Sequence, residues 1–113
     1  NGKYIKISGN VTNAAGNTTL AGIGSTGTME FTGTSSQNYN QGSSNLDLNT
    51  VIMNHSGTGV NLLSMMNIKS ASGSLTLTNG KIITGVNELV IANTTPGSCS
   101  AGNVNSFVII IFL

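Results

Sequence analysis

Charge is what this chain has least of. Only 6% of its 113 residues are Asp, Glu, Lys or Arg, against about 25% in an average soluble domain. Arginine and tryptophan are absent, aromatic residues make up 4%, and there is one proline and one cysteine. Each shortage closes off something. Four scattered lysines (Lys3, Lys6, Lys69, Lys81) without arginine give no clustered basic face for phosphate. So few aromatics give no platform on which bases could stack. A single cysteine, Cys99, excludes an internal disulfide, and its position suggests a small, half-buried residue near a corner. Disordered chains are usually rich in charge and proline; this one lacks both and keeps regularly spaced aliphatic pairs, which points to order.

Gly, Asn, Thr and Ser fill the gap, and the aliphatic residues among them alternate. In Gly73-Ser-Leu-Thr-Leu-Thr-Asn-Gly-Lys-Ile-Ile-Thr-Gly85, Leu75 and Leu77 face one side of a strand while Ser74, Thr76 and Thr78 face the other. Asn79-Gly80 then turns the chain, and Ile82-Ile83 begins another short strand. Apolar-x-apolar units recur at Ile5/Ile7, Met29/Phe31, Leu46/Leu48, Val51/Met53, Val60/Leu62, Met66/Ile68, Leu75/Leu77 and Leu89/Ile91, with weaker ones at Leu20 and Tyr39. Units three apart are separated by 20 residues (46 to 66), 24 (51 to 75) and 22 (60 to 82). That is the length of one coil made of three short strands. The expectation is one domain over residues 1–113: an all-β, right-handed parallel β-helix of four to five coils of 20–24 residues. A sandwich also uses short strands, but it wants longer hairpins and larger aromatic anchors. No stretch carries a helical period.

Glycines at 33, 42, 57, 59, 73, 80, 85 and 97 fall at the expected corners, where positive φ is free of steric cost. Asn49, Asn54, Asn67, Asn79 and Asn93 follow apolar pairs and could stack into a ladder or act as ordinary turn residues. The segment Phe107–Leu113 breaks the alternation. Seven apolar residues are too few to span a bilayer; they fit a strand buried on both sides or an edge awaiting another coil.

Leu75-Thr-Leu-Thr-Asn-Gly-Lys-Ile-Ile-Thr-Gly85 followed by Asn87-Glu-Leu-Val-Ile-Ala-Asn93 resembles a segment of large secreted, β-helical surface proteins of Bacteroidetes. Those proteins often end in a type IX secretion sorting domain, which is not present here. Upstream, Ile5–Asn13, Gly27–Gly33 and a corner at Gln41 are similar in style. The resemblance covers most of residues 3–97; the tail from Phe107 departs from it. It implies an extracellular or cell-surface location, a structural role and no catalytic residues. The scarcity of charge agrees, and the chain starts at Asn1 without an initiator Met, as if processed or cut from something longer.

Candidate chemistry is sparse. Glycosidases need paired carboxylates, and the acids are Glu30, Asp47 and Glu88, each beside an apolar pair and expected to point outward as a solubilising charge. Polysaccharide lyases usually add a basic residue and calcium, for which no acidic cluster exists. His55, in Met53-Asn-His-Ser-Gly57, has no second ligand or triad partner nearby. The Ser-rich stretches lack a nucleophile elbow. Four Asn-x-Ser/Thr matches are what an Asn/Thr-rich chain produces by chance. A hydroxylated face at Ser74, Thr76 and Thr78 could order water or ice, but the pattern does not repeat from coil to coil in the sequence. Tyr4 and Tyr39 stand too far apart to form a sugar platform.

The reading is therefore a structural segment of an extracellular stalk, adhesin or filament. It is not an enzyme, uses no cofactor or metal, and has no catalytic residue. The structural residues are Leu46, Leu48, Val60, Leu62, Met66, Ile68, Leu75, Leu77, Leu89 and Ile91. Uncapped coil ends favour head-to-tail self-association, with Phe107–Leu113 as contact. The alternative is a carbohydrate-binding or polysaccharide-cleaving β-helix.

Overall fold

The computed structural model describes residues 3–13, 26–42 and 47–110. Leu20, Leu46 and the tail residues 111–113 lie outside them. Among the described residues there are ten strands and no helix: β1 (Tyr4–Ile7), β2 (Val11–Thr12), β3 (Thr28–Phe31), β4 (Gln37–Asn40), β5 (Thr50–Asn54), β6 (Val60–Leu62), β7 (Met66–Ile68), β8 (Ser74–Ile83), β9 (Leu89–Ile91) and β10 (Ser106–Ile109). Every pairing between them is parallel. They stack as a β-solenoid of about four turns.

Three faces run the length of the stack. The first is β1-β3-β5-β8, the second β2-β4-β6-β8 with β10 added on β8, and the third β7-β9. Leu48 extends the third face one coil below β7, its amide donating to the Asn67 carbonyl at 2.8 Å. Cys99 adds a single rung above Leu75 on the first. Register partners Tyr4, Thr28, Thr50 and Ser74 stand 24, 22 and 24 residues apart. The second face is less even, from 22 residues (Val60 to Ile82) to 28 (Val11 to Tyr39).

The strands are short because each must end where the coil bends, and β8 shows how a bend is built. Its first half lies on β5 and its second on β6 and β10, so one strand serves two faces. The register slips where Met53 pairs Leu77 but Asn54 pairs Asn79, leaving Thr78 as an extra residue; such a bulge bends the strand that carries it. Gly80 follows with φ of 85°. A Cβ there would also lie 2.7 Å from His55 Cβ, so both backbone angle and space require glycine. Of the expected corner glycines, 42, 59, 80, 85 and 97 have positive φ. Gly57 is needed for room instead, since a Cβ would meet the Thr34 carbonyl oxygen at 2.1 Å.

Alternation fills the interior. Met29, Phe31, Val51, Met53, Leu75 and Leu77 point in from the first face. Tyr39, Val60, Leu62 and Ile82 come from the second, and Leu48, Met66 and Ile68 from the third. Phe31 and Tyr39 meet edge to face, centroids 6.3 Å apart. The Tyr39 hydroxyl donates to Gln41 Oε1 at 2.9 Å, and burial raises its pKa. Buried Gln37 accepts from the Gly33 amide and donates to the Ile7 and Gly9 carbonyls, tying the first two coils together. Ile5 and Leu89, at equally apolar positions, are less covered than the central pairs because they sit at the two ends of the stack.

Candidate functional site

The two poles of the stack differ. At the second, the fifth coil supplies a rung on the first face (Cys99) and one on the second (β10), but no described residue lies over β9 on the third. The interior therefore opens there into a cavity of about 520 Å³, lined by apolar residues such as Leu75, Leu89, Ile91 and Val108, by Cys99, and by the polar residues Thr84, Asn87 and Glu88. Little in it could orient a polar ligand. The Thr84 hydroxyl donates to backbone carbonyls, and Asn87 Nδ2 donates to the Leu62 carbonyl at 2.7 Å. Cys99 is exposed in this opening rather than half-buried, since nothing described covers the coil it starts.

The outside of this pole is apolar too. On the second face one outward column reads Asn38, Asn61, Ile83, Ile109 along the stack. The first two members share a side-chain hydrogen bond of 3.3 Å and the last two expose aliphatic surface. Phe107 lies beside them with the Lys81 ammonium 5.2 Å from its ring centroid. Ser106–Ile109 is thus not buried on both sides: it is a half-covered fifth rung paired with β8 along one edge, and its other edge has no partner among the described strands.

The first face carries a charged polar cluster that crosses coils. Glu30 was expected to be a solvated outward charge; it does point out of the core, yet it is 4% exposed. Tyr4 and Lys6 of β1 and Asn54 of β5 close over it. The Tyr4 hydroxyl and Asn54 Nδ2 (2.9 Å) donate to its carboxylate, and Lys6 Nζ lies 3.8 Å away. The Tyr4 and Asn54 hydrogen bonds, with the Lys6 charge, hold its pKa below the usual carboxylate range, outweighing desolvation. Asp47 and Glu88 do not join it. Asp47 precedes Leu48, and Glu88 precedes β9, both by the third face. Asp47 Oδ1 is buried with no hydrogen-bond partner, while Glu88 is exposed.

His55 is fully buried at the corner between the first two faces. Its Nδ1 accepts from the Gly57 amide at 3.0 Å, which places the ring proton on Nε2, 2.9 Å from the Ser35 carbonyl. Both nitrogens are used to hold backbone. The expected asparagine ladder lies elsewhere. Asn54 turns to Glu30 and Asn93 donates to the Gly73 carbonyl, while asparagine meets asparagine from coil to coil at Asn10, Asn38 and Asn61 on the second face. A hydroxyl column, Thr28, Thr50 and Ser74, does repeat on the first face. Its outward neighbour column is Lys6, Glu30, Ile52 and Thr76, so the array is one column wide and unlike an ice-matching surface.

What sequence reading missed was the cover on Glu30, which depends on residues 24 to 26 positions away, and the vacancy over β9. Comparison with protein-family models, curated proteins and solved structures finds no match. The resemblance to secreted Bacteroidetes β-helices therefore gains no support from them.

Proposed function

We propose that this chain is a structural segment of an extracellular β-solenoid, a stalk, adhesin or filament that extends by stacking end on end. The observation that carries this reading is the open pole: unpaired rungs around an apolar cavity, with aliphatic and aromatic side chains on its rim. An apolar mouth bordered by free strand edges is a template for more strand. A contact between unlike ends does not close on itself and so propagates. Scarce charge, +1 net, leaves little repulsion between copies.

Sedimentation velocity over a concentration series tests it, with negative-stain microscopy of the heaviest fractions. Growing species that are regular fibres about 2–3 nm wide, the sheet spacing plus side chains, are expected. A single monomeric boundary at every concentration would remove the reading. A polysaccharide-binding face is the second reading, favoured by one feature: exposed Tyr4 beside the Glu30–Lys6 pair on the first face. Glycan retention that Tyr4→Ala abolishes would favour it, while Glu30→Gln, Asp47→Gln and Glu88→Gln together should leave assembly intact if the role is structural.

A further inference from the structure

The open pole has a vacancy of definite shape. Across the second and third faces Met66 comes five residues after Asn61, and Leu89 six after Ile83, while Asn61, Ile83 and Ile109 are register partners. Among the described residues no strand follows Ile109 at that spacing, and none lies over β9. The slot wants a short parallel strand with two inward apolar side chains, one over Leu89 and one over Ile91. We infer that its occupant is β1 of a second copy of this chain, seated with Ile5 over Leu89 and Ile7 over Ile91; the inference rests on the end-stacking reading above.

Three observations agree on that register. β1 repeats the pattern of β9, with Ile5 and Ile7 at inward positions and incompletely covered. Its edge away from β3 has no partner among the described strands. Backbone polarity fits the same register. The Thr32 amide donates to the Ile7 carbonyl, so the Ile5 and Ile7 groups point toward β3 and those of Tyr4 and Lys6 point to the free edge. The Met66 amide donates to the Glu88 carbonyl and the Ala92 amide to the Ile68 carbonyl, so the Leu89 and Ile91 groups point to their own free edge. Stacking Ile5 on Leu89 puts the apolar side chains inside and interleaves both sets of free groups, as β1 does with β3. Charge agrees as well. Glu88 is the charged residue lining the cavity, and in this register it faces the Lys3–Lys6 segment.

The consequence is a rotated joint. If β1 of one copy met the rung below it in phase, Ile5 would continue the column of Met29, Val51, Leu75 and Cys99. In the inferred joint β1 sits on the third face instead, and each copy turns by one face relative to the last. The spiral of strands then runs on without a missing rung. A small apolar ligand is a weaker occupant, because the Thr84 and Asn87 side chains that would orient it are already bonded within the chain.

Disulfide trapping decides the joint, since stacked rungs bring paired Cα atoms within bridging distance. The variant Ile5→Cys/Leu89→Cys/Cys99→Ser should give a ladder of covalent multimers under mild oxidation. Ile5→Cys alone, keeping native Cys99, should give none. Covalent multimers from the second variant but not the first would overturn the inferred register in favour of the in-phase joint. Fibres that form from both without any cross-link would overturn it while leaving end-stacking in place. If neither the parent chain nor the variants associate, with folding verified by circular dichroism, both the joint and the proposed function fail.

Discussion

Glycine at position 80 and histidine at position 55 hold the same corner from neighbouring coils, and each has one job that no other residue does. Gly80→Ala should cost about 2–4 kcal/mol, from a left-handed backbone and a methyl driven into His55. His55→Ala removes a partner from the part-buried Gly57 amide and Ser35 carbonyl and opens a void where the ring was, and should cost about 2–4 kcal/mol. Urea unfolding of both variants against the parent checks the two figures. Glu30 behaves differently because its contribution depends on pH. Its folded pKa lies below its ordinary value of 4.5, so the stability it adds is present above that value and is lost as pH falls through the folded pKa. Glu30→Gln should flatten the acid side of the stability–pH curve while changing little near neutrality in slope. A parent and variant with parallel acid limbs would show that the Tyr4 and Asn54 hydrogen bonds do not favour the carboxylate.

At the scale of the element, position along the stack sets the energy of a side chain more than its type does. Leu75 is enclosed by coils on both sides, and Leu75→Ala should cost about 2–5 kcal/mol. Leu89 has the same place in an apolar-x-apolar pair but lies at the open pole, and Leu89→Ala should cost less than half as much. Equal losses at the two would mean that the pole is closed in solution. Leu75 and Leu77 were legible as strand residues from their alternation with Ser and Thr, and so were Met66, Ile68, Val60 and Leu62, because a period of two needs no tertiary information. The corner at Asn79-Gly80 was legible for the same local reason. What alternation cannot carry is which residues come to rest above one another. The Tyr4–Glu30–Asn54 cover is set by coil length, and corners of unequal length make that length uneven. His55 looked isolated because its partners, a carbonyl and an amide, leave no trace in side-chain identity. The continuous strand through Gly80 was unexpected, since a bulge lets the ladder survive a bend that sequence reads as a break.

For the whole molecule the decisive asymmetry is between the centre of the stack and its poles. β5 lies between β3 and β8 and its amides should exchange with solvent slowest; β1 and β10 should exchange fastest. The open third face is the feature from which end-stacking, and the rotated joint, follow. The most direct test is residue-resolved hydrogen exchange of the Leu89 and Ile91 amides, first in dilute monomer and then in concentrated sample. Those two amides point to the vacant side of β9. The account predicts rapid exchange in the monomer and strong protection once the chains associate. Protection already present in the monomer, or free exchange persisting within formed fibres, would contradict it.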